Sequence, residues 1–292
     1  MDESAFTLHD STVAIVGLGL MGGSLALALR AQNACRRIIA ITSNAATREL
    51  VIARNIADEA SADLEHLATA DLIILAAPVR TIITQLPRVG TIARAGAIVL
   101  DLGSTKREIV QELEALPAHI QPIGGHPMCG KEKAGFDAAD ADLYRNAVFV
   151  LTPLARTTVQ TLALAKSLAE TIGARPLVLD PARHDRIAAA VSHLPHTLAT
   201  ALMLTTDECA GDDDLTFALA ASGFRDTSRL AASEVTMMLD ILLTNRENVA
   251  NLMRACSRQL NHLADLITSR DETTLRATLE RAATKRRGLF KS

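Results

Sequence analysis

His126 is the residue best placed to do proton chemistry in this chain. The segment Gly124-Gly125-His126-Pro127-Met128-Cys129-Gly130 holds it between two glycines and a proline, just after an apolar, strand-like run. Glycine removes steric cover and proline stiffens the turn, so the imidazole meets a ligand in a fixed direction. Near neutral pH it can exchange a proton with a hydroxyl, as oxidation by hydride loss requires. A surface turn histidine is the competing reading, and the strand-end position favours the chemical one.

Two further groups lie in the second half. Gly223-Phe224-Arg225-Asp226-Thr227-Ser228-Arg229 reads as a loop entering a helix, with Asp226 near the positively polarised start and Arg229 one turn later. Arginine suits a bidentate grip on a carboxylate, although a structural ion pair explains the same residues. In Val191-Ser192-His193-Leu194-Pro195-His196 the two histidines share a helix face if Pro195 only kinks that helix. That spacing suits a metal, but no acidic third ligand accompanies it. Substrate contacts or domain-interface hydrogen bonds are preferred, and no metal is expected.

These groups need a scaffold, and the N-terminal region supplies one. Gly17-Leu18-Gly19-Leu20-Met21-Gly22-Gly23-Ser24 sits between the apolar run 13–16 and Leu25-Ala26-Leu27-Ala28-Leu29. A strand, a Gly-x-Gly-x-x-Gly turn and a helix in that order make a dinucleotide-binding fingerprint. Gly17 permits the tight turn, Gly19 lets backbone approach a pyrophosphate, and Gly22 lets helix and strand pack closely. The N–H groups of the helix start, from Leu20 and Met21 on, face the anion.

The second strand-like run ends at Thr42-Ser43-Asn44, where an NAD site commonly carries Asp or Glu. Neutral hydroxyls and an amide, with Arg48 nearby, accept a 2′-phosphate without repulsion. NADP is expected, with NAD also possible. Asn44 or Ser43 also suits the N-cap of the next helix, and both roles can hold together. Ala77-Pro78 and the Asp101-Leu102-Gly103-Ser104 segment end the next two runs, which places them beside the cofactor.

Strand-like runs at 13–16, 38–42, 72–76, 98–102, 120–124, 148–151 and 177–179 alternate with helical patterns near 23–32, 46–55, 80–94 and 105–115. That alternation predicts an α/β Rossmann-like domain over residues 1–180, its mostly parallel sheet covered on both faces. After Asp180-Pro181 the spacing turns helical, with segments near 182–204, 215–221, 226–231, 234–268 and 271–287. Residues 181–292 therefore read as an all-α substrate and dimerisation domain. Met237, Met238, Leu239, Ile241, Leu242 and Leu243 are too apolar for a solvated helix and must be buried within their own domain or against a second subunit, and a homodimer is expected.

Composition excludes several classes. A formal net charge of −3 and 2% aromatic residues with no Trp argue against a nucleic-acid surface. The acidic start Met1-Asp2-Glu3-Ser4 is unlike a secretory signal, and no uninterrupted apolar stretch reaches the length of a membrane span. Cys35, Cys129, Cys209 and Cys256 are scattered, which fits a reducing cytoplasm. Neither a repeat nor a third, regulatory domain is expected.

Taken in order, these motifs resemble the prephenate and arogenate dehydrogenase family of tyrosine biosynthesis, across about residues 12 to 260. The resemblance rests on the glycine turn, Asp101-Leu102-Gly103-Ser104-Thr105-Lys106, Gly125-His126-Pro127-Met128, the His193/His196 segment and Gly223 through Arg229. It implies oxidative decarboxylation, with His126 taking the ring hydroxyl proton and Ser104 orienting that hydroxyl and the nicotinamide. It implies further that Arg229 binds the ring carboxylate, and that His196 and Glu132 line the substrate pocket. Asp226 and His193 join that group.

The chain departs from the pattern in places. It has Ser233-Glu234-Val235-Thr236-Met237-Met238 where relatives acting on prephenate often carry a tryptophan, and Lys131 where many have Thr. Met237-Met238 and the neutral Thr42-Ser43 resemble the NADP-using arogenate enzymes of the cyanobacterial type. Inhibition by tyrosine would have to act at the active site itself. A β-hydroxyacid dehydrogenase expects a catalytic lysine in the helical half, where only Lys285 and Lys291 occur, at the tail. A non-catalytic nicotinamide-binding sensor leaves the set His126, Ser104 and Arg229 without a purpose.

Overall fold

Val13 and Ile15 turn into one apolar layer, Ala14 and Val16 into the other. A strand apolar on both faces belongs in a sheet covered by helices on both sides. The computed structural model describes residues 7–131, 133–213 and 215–289. Among them eight strands form one sheet: β1 (Thr12–Val16), β2 (Arg37–Ile41), β3 (Glu59–Ser61), β4 (Leu72–Leu75), β5 (Ile98–Asp101), β6 (Gln121–Pro127), β7 (Val148–Pro153) and β8 (Arg175–Val178). Their order is β3-β2-β1-β4-β5-β6-β7-β8. Pairing is parallel throughout except between β6 and β7.

Helices α1 (Leu20–Ala31), α2 (Ala45–Ala53), α3 (Val79–Ile92), α4 (Arg107–Glu114) and α5 (Val159–Thr171) connect strands. From residue 181 the described chain is helical: α6 (Pro181–Ala188), α7 (Leu194–Ala210), α8 (Leu215–Ala218), α9 (Ser222–Ser228), α10 (Val235–Thr244), α11 (Arg246–Ser269) and α12 (Glu272–Leu289). The Rossmann-like sheet with an all-α second half is the architecture expected from sequence. Two compact units are present, one extending through Arg246 and one beginning at Glu247.

Several elements differ from expectation. β3 is a three-residue strand with no apolar run to announce it, and β7 reverses direction. The helix expected over 234–268 breaks at Asn245, whose φ of −121° and ψ of 26° leave the helical region. The segment expected to be a helix at 226–231 starts earlier, as α9, and tightens into a 3₁₀ turn over Arg229–Ala232. Asp226 therefore lies inside a helix rather than at its start, and the favourable end-charge does not apply to it.

α6 and α7 are joined without a loop by a π turn, Ala189–His193. Pro195 has no N–H for the carbonyl of Val191 and its ring crowds that carbonyl, so a wider turn just before it relieves the clash. The resulting run, Pro181–Ala210, is long enough to cross a membrane and contains an 18-residue stretch with a mean hydropathy of 1.4. Its His184, Asp185 and His193 are nevertheless buried and hydrogen-bonded within the protein.

Candidate active site

The strand order reverses between β1 and its two neighbours, β2 and β4, and ligands of open α/β sheets bind at such a switch point. Gly17 occupies it with φ +93°, and a Cβ there would stand 2.7 Å from the carbonyl oxygen of Ala76, at the end of β4. A Cβ on Gly22 would fall 1.9 Å from the carbonyl oxygen of Gly17, so α1 lies hard against the turn. Gly19 has open space where its Cβ would be, and it begins α1 with no side-chain cap. The first N–H groups of α1, Leu20 and Met21 among them, thus lack helical acceptors. A cavity of about 370 Å³ opens beside this turn, lined by Gly17, Thr42, Ser43, Asp63, Ala77 and Arg88 among others. An uncapped helix start, a bare glycine and a neighbouring cleft fit a dinucleotide.

The rim of that cleft carries mixed charge. Arg48 donates to the carbonyl of Thr42 at 2.7 Å, which holds its guanidinium at the tip of β2. Asn44 caps α2 by accepting from the Thr47 N–H at 3.1 Å. Pro78 is the N-cap residue of α3. Asp63, which the sequence reading did not single out, brings a carboxylate to the lining, with Arg88 3.7 Å away.

His126 stands at the carboxyl end of β6, half-buried, paired across the antiparallel ladder with Val150. Gly125 touches the end of β5, since a Cβ there would lie 2.7 Å from the Asp101 carbonyl oxygen. Ser104 follows three residues after Asp101, partly exposed. The buried Lys106 ammonium pairs with Asp101 and donates to the Gly125 carbonyl at 2.6 Å. Asp101 also accepts the N–H groups of Gly103 at 2.8 Å and Gly125 at 3.1 Å. One buried ion pair thus fixes both the loop that carries Ser104 and the strand that carries His126. Burial pulls the lysine below its usual range, and Asp101 opposes that shift.

The chain after His126 folds back onto α1. The Tyr144 hydroxyl donates to the Met21 carbonyl at 2.6 Å, and Asp140 N–H to Ser24 Oγ at 2.9 Å. The histidine turn and the helix of the glycine fingerprint are therefore tied together.

The sequence reading assigns no role to His184 or Asp185. In the structure His184 Nε2 lies 2.8 Å from His126 Nδ1, and His184 Nδ1 lies 2.8 Å from Asp185 Oδ1. Burial, with the charges of His184, Lys106 and His193 adding to it, holds His126 well below the usual histidine range. The ring is thus neutral at physiological pH and able to accept a proton.

The remaining residues are more dispersed. His193 is 1% exposed and its Nδ1 faces the Asn245 amide at 3.2 Å, so its ring serves an interior hydrogen bond. Burial lowers it to about 4, Asp185 pulling the other way. His196 is half-buried and also lowered by burial, and its buried Nδ1 finds no partner among the described residues. Arg229 is exposed at the start of its 3₁₀ turn, which packs against α7, the helix that carries His196. Asp226 is exposed, 3.4 Å from Arg225. Glu132 lies outside the described residues. Among the described residues no group of three or more His, Cys, Asp or Glu is arranged to hold a metal ion.

α10 closes over this end of the sheet. Asp240 receives the Arg80 backbone N–H at 2.9 Å, and Thr244 Oγ1 meets Thr105 Oγ1 at 2.8 Å.

A glycine turn and cleft at the switch point of such a sheet place the chain among the nucleotide-binding α/β proteins. A model of that domain type, described as prephenate dehydrogenase, nucleotide-binding domain, matches residues 25–178. A second, described as prephenate dehydrogenase, dimerization domain, matches residues 180–281. The chain belongs to the prephenate dehydrogenase family. It is 31% identical to a prephenate dehydrogenase of Bacillus subtilis over 95% of its own length and 76% of that protein. It also resembles a crystal structure of prephenate dehydrogenase from A. aeolicus in complex with hydroxyphenyl propionate and NAD+, with a TM-score of 0.90 and 32% identity. That match covers 98% of this chain and 100% of the other. Synechocystis arogenate dehydrogenase superposes with a TM-score of 0.81 at 32% identity, covering 96% of this chain and 100% of that one.

Proposed function

We propose that this chain catalyses the oxidative decarboxylation of arogenate or prephenate to tyrosine or 4-hydroxyphenylpyruvate, with NADP as the preferred electron acceptor. The observation that carries this reading is His126: a neutral imidazole, backed by a buried histidine, at the carboxyl end of β6 in the sheet that carries the glycine turn. Its family membership supports the same reaction. An oxidised nicotinamide, when bound, supplies the two-electron sink.

The protein's own residues do the rest. His126 takes the proton of the ring hydroxyl as the C–H bond gives up its hydride, and Ser104 orients that hydroxyl. Arg229 binds the ring carboxylate, which leaves as carbon dioxide, and aromatisation drives the loss. His196, with its open Nδ1, and Glu132 line the substrate pocket, with Asp226 and His193 supporting them. Gly17, Gly19, Leu20, Met21 and Gly22 receive the pyrophosphate, while Thr42, Ser43, Asn44, Ala77 and Pro78 line the rest of the cofactor site.

Neutral Thr42 and Ser43 with Arg48 at the tip of β2 support NADP. Asp63 in the same lining supports a second reading, in which its carboxylate binds ribose hydroxyls and NAD is used. Residues 1–180 hold the cofactor, and residues 181–292 hold substrate and pair two subunits. Exposed Leu198 and Leu204 on α7 and Val235, Leu239 and Leu243 on α10 support such a homodimer. The setting is cytoplasmic.

Initial rates for arogenate and prephenate, each with NADP and with NAD, test the proposal. Arogenate with NADP is expected to be fastest. Faster turnover of prephenate, or with NAD, overturns the corresponding preference, and no rate in any combination overturns the reaction. His126→Asn is expected to lower kcat by about 10²–10⁴-fold with cofactor binding intact. Unchanged turnover in that variant removes His126 from the mechanism.

A further inference from the structure

We propose that His184 is a positioning residue for His126: Asp185, His184 and His126 form one hydrogen-bonded line that leaves His126 Nε2 as the bare, proton-accepting nitrogen. The inference rests on the reading of His126 as the base. It goes beyond that reading by naming what sets the tautomer of the base.

The direction of each bond follows from the far end of the line. Asp185 Oδ1 accepts the N–H of Lys106 at 2.7 Å and Oδ2 that of Arg107 at 2.9 Å, so the carboxylate sits on the N-terminus of α4. Both oxygens thus accept backbone N–H groups, and a carboxylate can only accept. His184 Nδ1, 2.8 Å from Asp185 Oδ1, must therefore carry the hydrogen. In a neutral ring its Nε2 is then bare and accepts from the group 2.8 Å away, His126 Nδ1. His126 donates there, which leaves its Nε2 unprotonated.

The inner part of the line is shielded from solvent. His184 is 2% exposed and Asp185 is fully buried, so solvent offers no alternative partner to either. The two imidazoles meet edge to face, with ring centroids 5.0 Å apart and planes at 73°. Asn245 donates to the Asp185 carbonyl at 2.8 Å, which pins the backbone beneath the pair. Were His184 to donate from Nε2 instead, His126 would accept at Nδ1 and keep its proton on Nε2, the nitrogen that must be free. As the substrate proton arrives on His126, the Asp185 charge one ring away opposes the positive charge that develops.

The test pairs kinetics with a direct reading of the tautomer. In protein carrying ¹⁵N-labelled histidine and no cofactor, the His126 resonances, assigned by their loss in His126→Asn, should show Nδ1 protonated and Nε2 bare. His184→Met fills similar volume but accepts poorly, and it is expected to lower kcat by about 10²-fold with substrate KM and cofactor affinity essentially unchanged. His184→Gln offers a carbonyl oxygen to His126 and should recover about tenfold of that loss, with the wild-type tautomer restored. A proton on His126 Nε2 in the wild-type protein overturns the proposal, as does a Met variant with wild-type kcat. If the Met variant fails to fold, the wild-type tautomer decides alone. If His126→Asn loses activity while His184→Met keeps it, only the positioning role falls. If His126→Asn itself keeps activity, the base assignment beneath it falls.

Discussion

Acidification should weaken the fold through His193, by an amount the structure allows one to work out. The ring is 1% exposed, accepts from Asn245 at Nδ1, and takes up a proton only near pH 4, against 6.5 for an open histidine. Between those two values the unfolded chain binds a proton that the folded protein refuses. Stability is therefore fully present above pH 6.5 and falls as the pH is lowered toward 4. At about 1.4 kcal/mol per pH unit, that interval corresponds to about 3 kcal/mol. The assay is urea unfolding of the wild type and His193→Gln at one protein concentration, across pH 7.5 to 4.5. Glutamine keeps an acceptor for Asn245 but does not titrate, so other acid-sensitive groups cancel in the comparison. The wild type is expected to be the more stable at pH 7.5, with the gap closing by roughly 2–3 kcal/mol at the acid end. A gap that stays constant with pH would refute the assignment of His193 as a buried neutral ring.

Three more outcomes follow from the buried ion pair and the glycine turn. Lys106→Met leaves the Asp101 carboxylate buried without its cation, and urea unfolding should register a loss of about 3–5 kcal/mol. Gly19→Ala meets open space and should fold normally while losing dinucleotide affinity by calorimetry. Gly22→Ala collides with the Gly17 carbonyl and should also lower the melting temperature, so equal stability in the two variants would contradict the packing described.

The glycine turn was legible because its flanks, an apolar strand and an Ala/Leu helix, left one arrangement for residues 17 to 23. The parallel strands were legible for a related reason: burial on both faces writes itself as an unbroken apolar run. β3 escaped because Glu59, Ala60 and Ser61 are partly buried at best and carry no such run. The break at Asn245 escaped because its cause is tertiary. The amide leaves the helix to bond the Asp185 carbonyl and His193, contacts 60 and 52 residues away in sequence. The same distance hides the role of His184, which meets His126 across 58 residues. A charged or titratable pair in an Ala-rich helix, as at His184-Asp185, was the available signal. Lys106 gave a weaker one, since a lysine after a strand is usually solvated and here is fully buried.

The π turn at residues 189–193 has a consequence for how this helix tolerates length changes. One residue more or less in a helix rotates everything beyond it by about 100°. Upstream of the turn lie His184 and Asp185, and downstream lie His196 and the face of α7 met by the Arg229 turn. Deleting Val191 alone would leave those two halves in phase, since a π turn holds one residue more than an α turn, but it would bring back the clash at Pro195 that the wider turn relieves. The apparent irregularity is what keeps two remote stretches of sequence in register with one site.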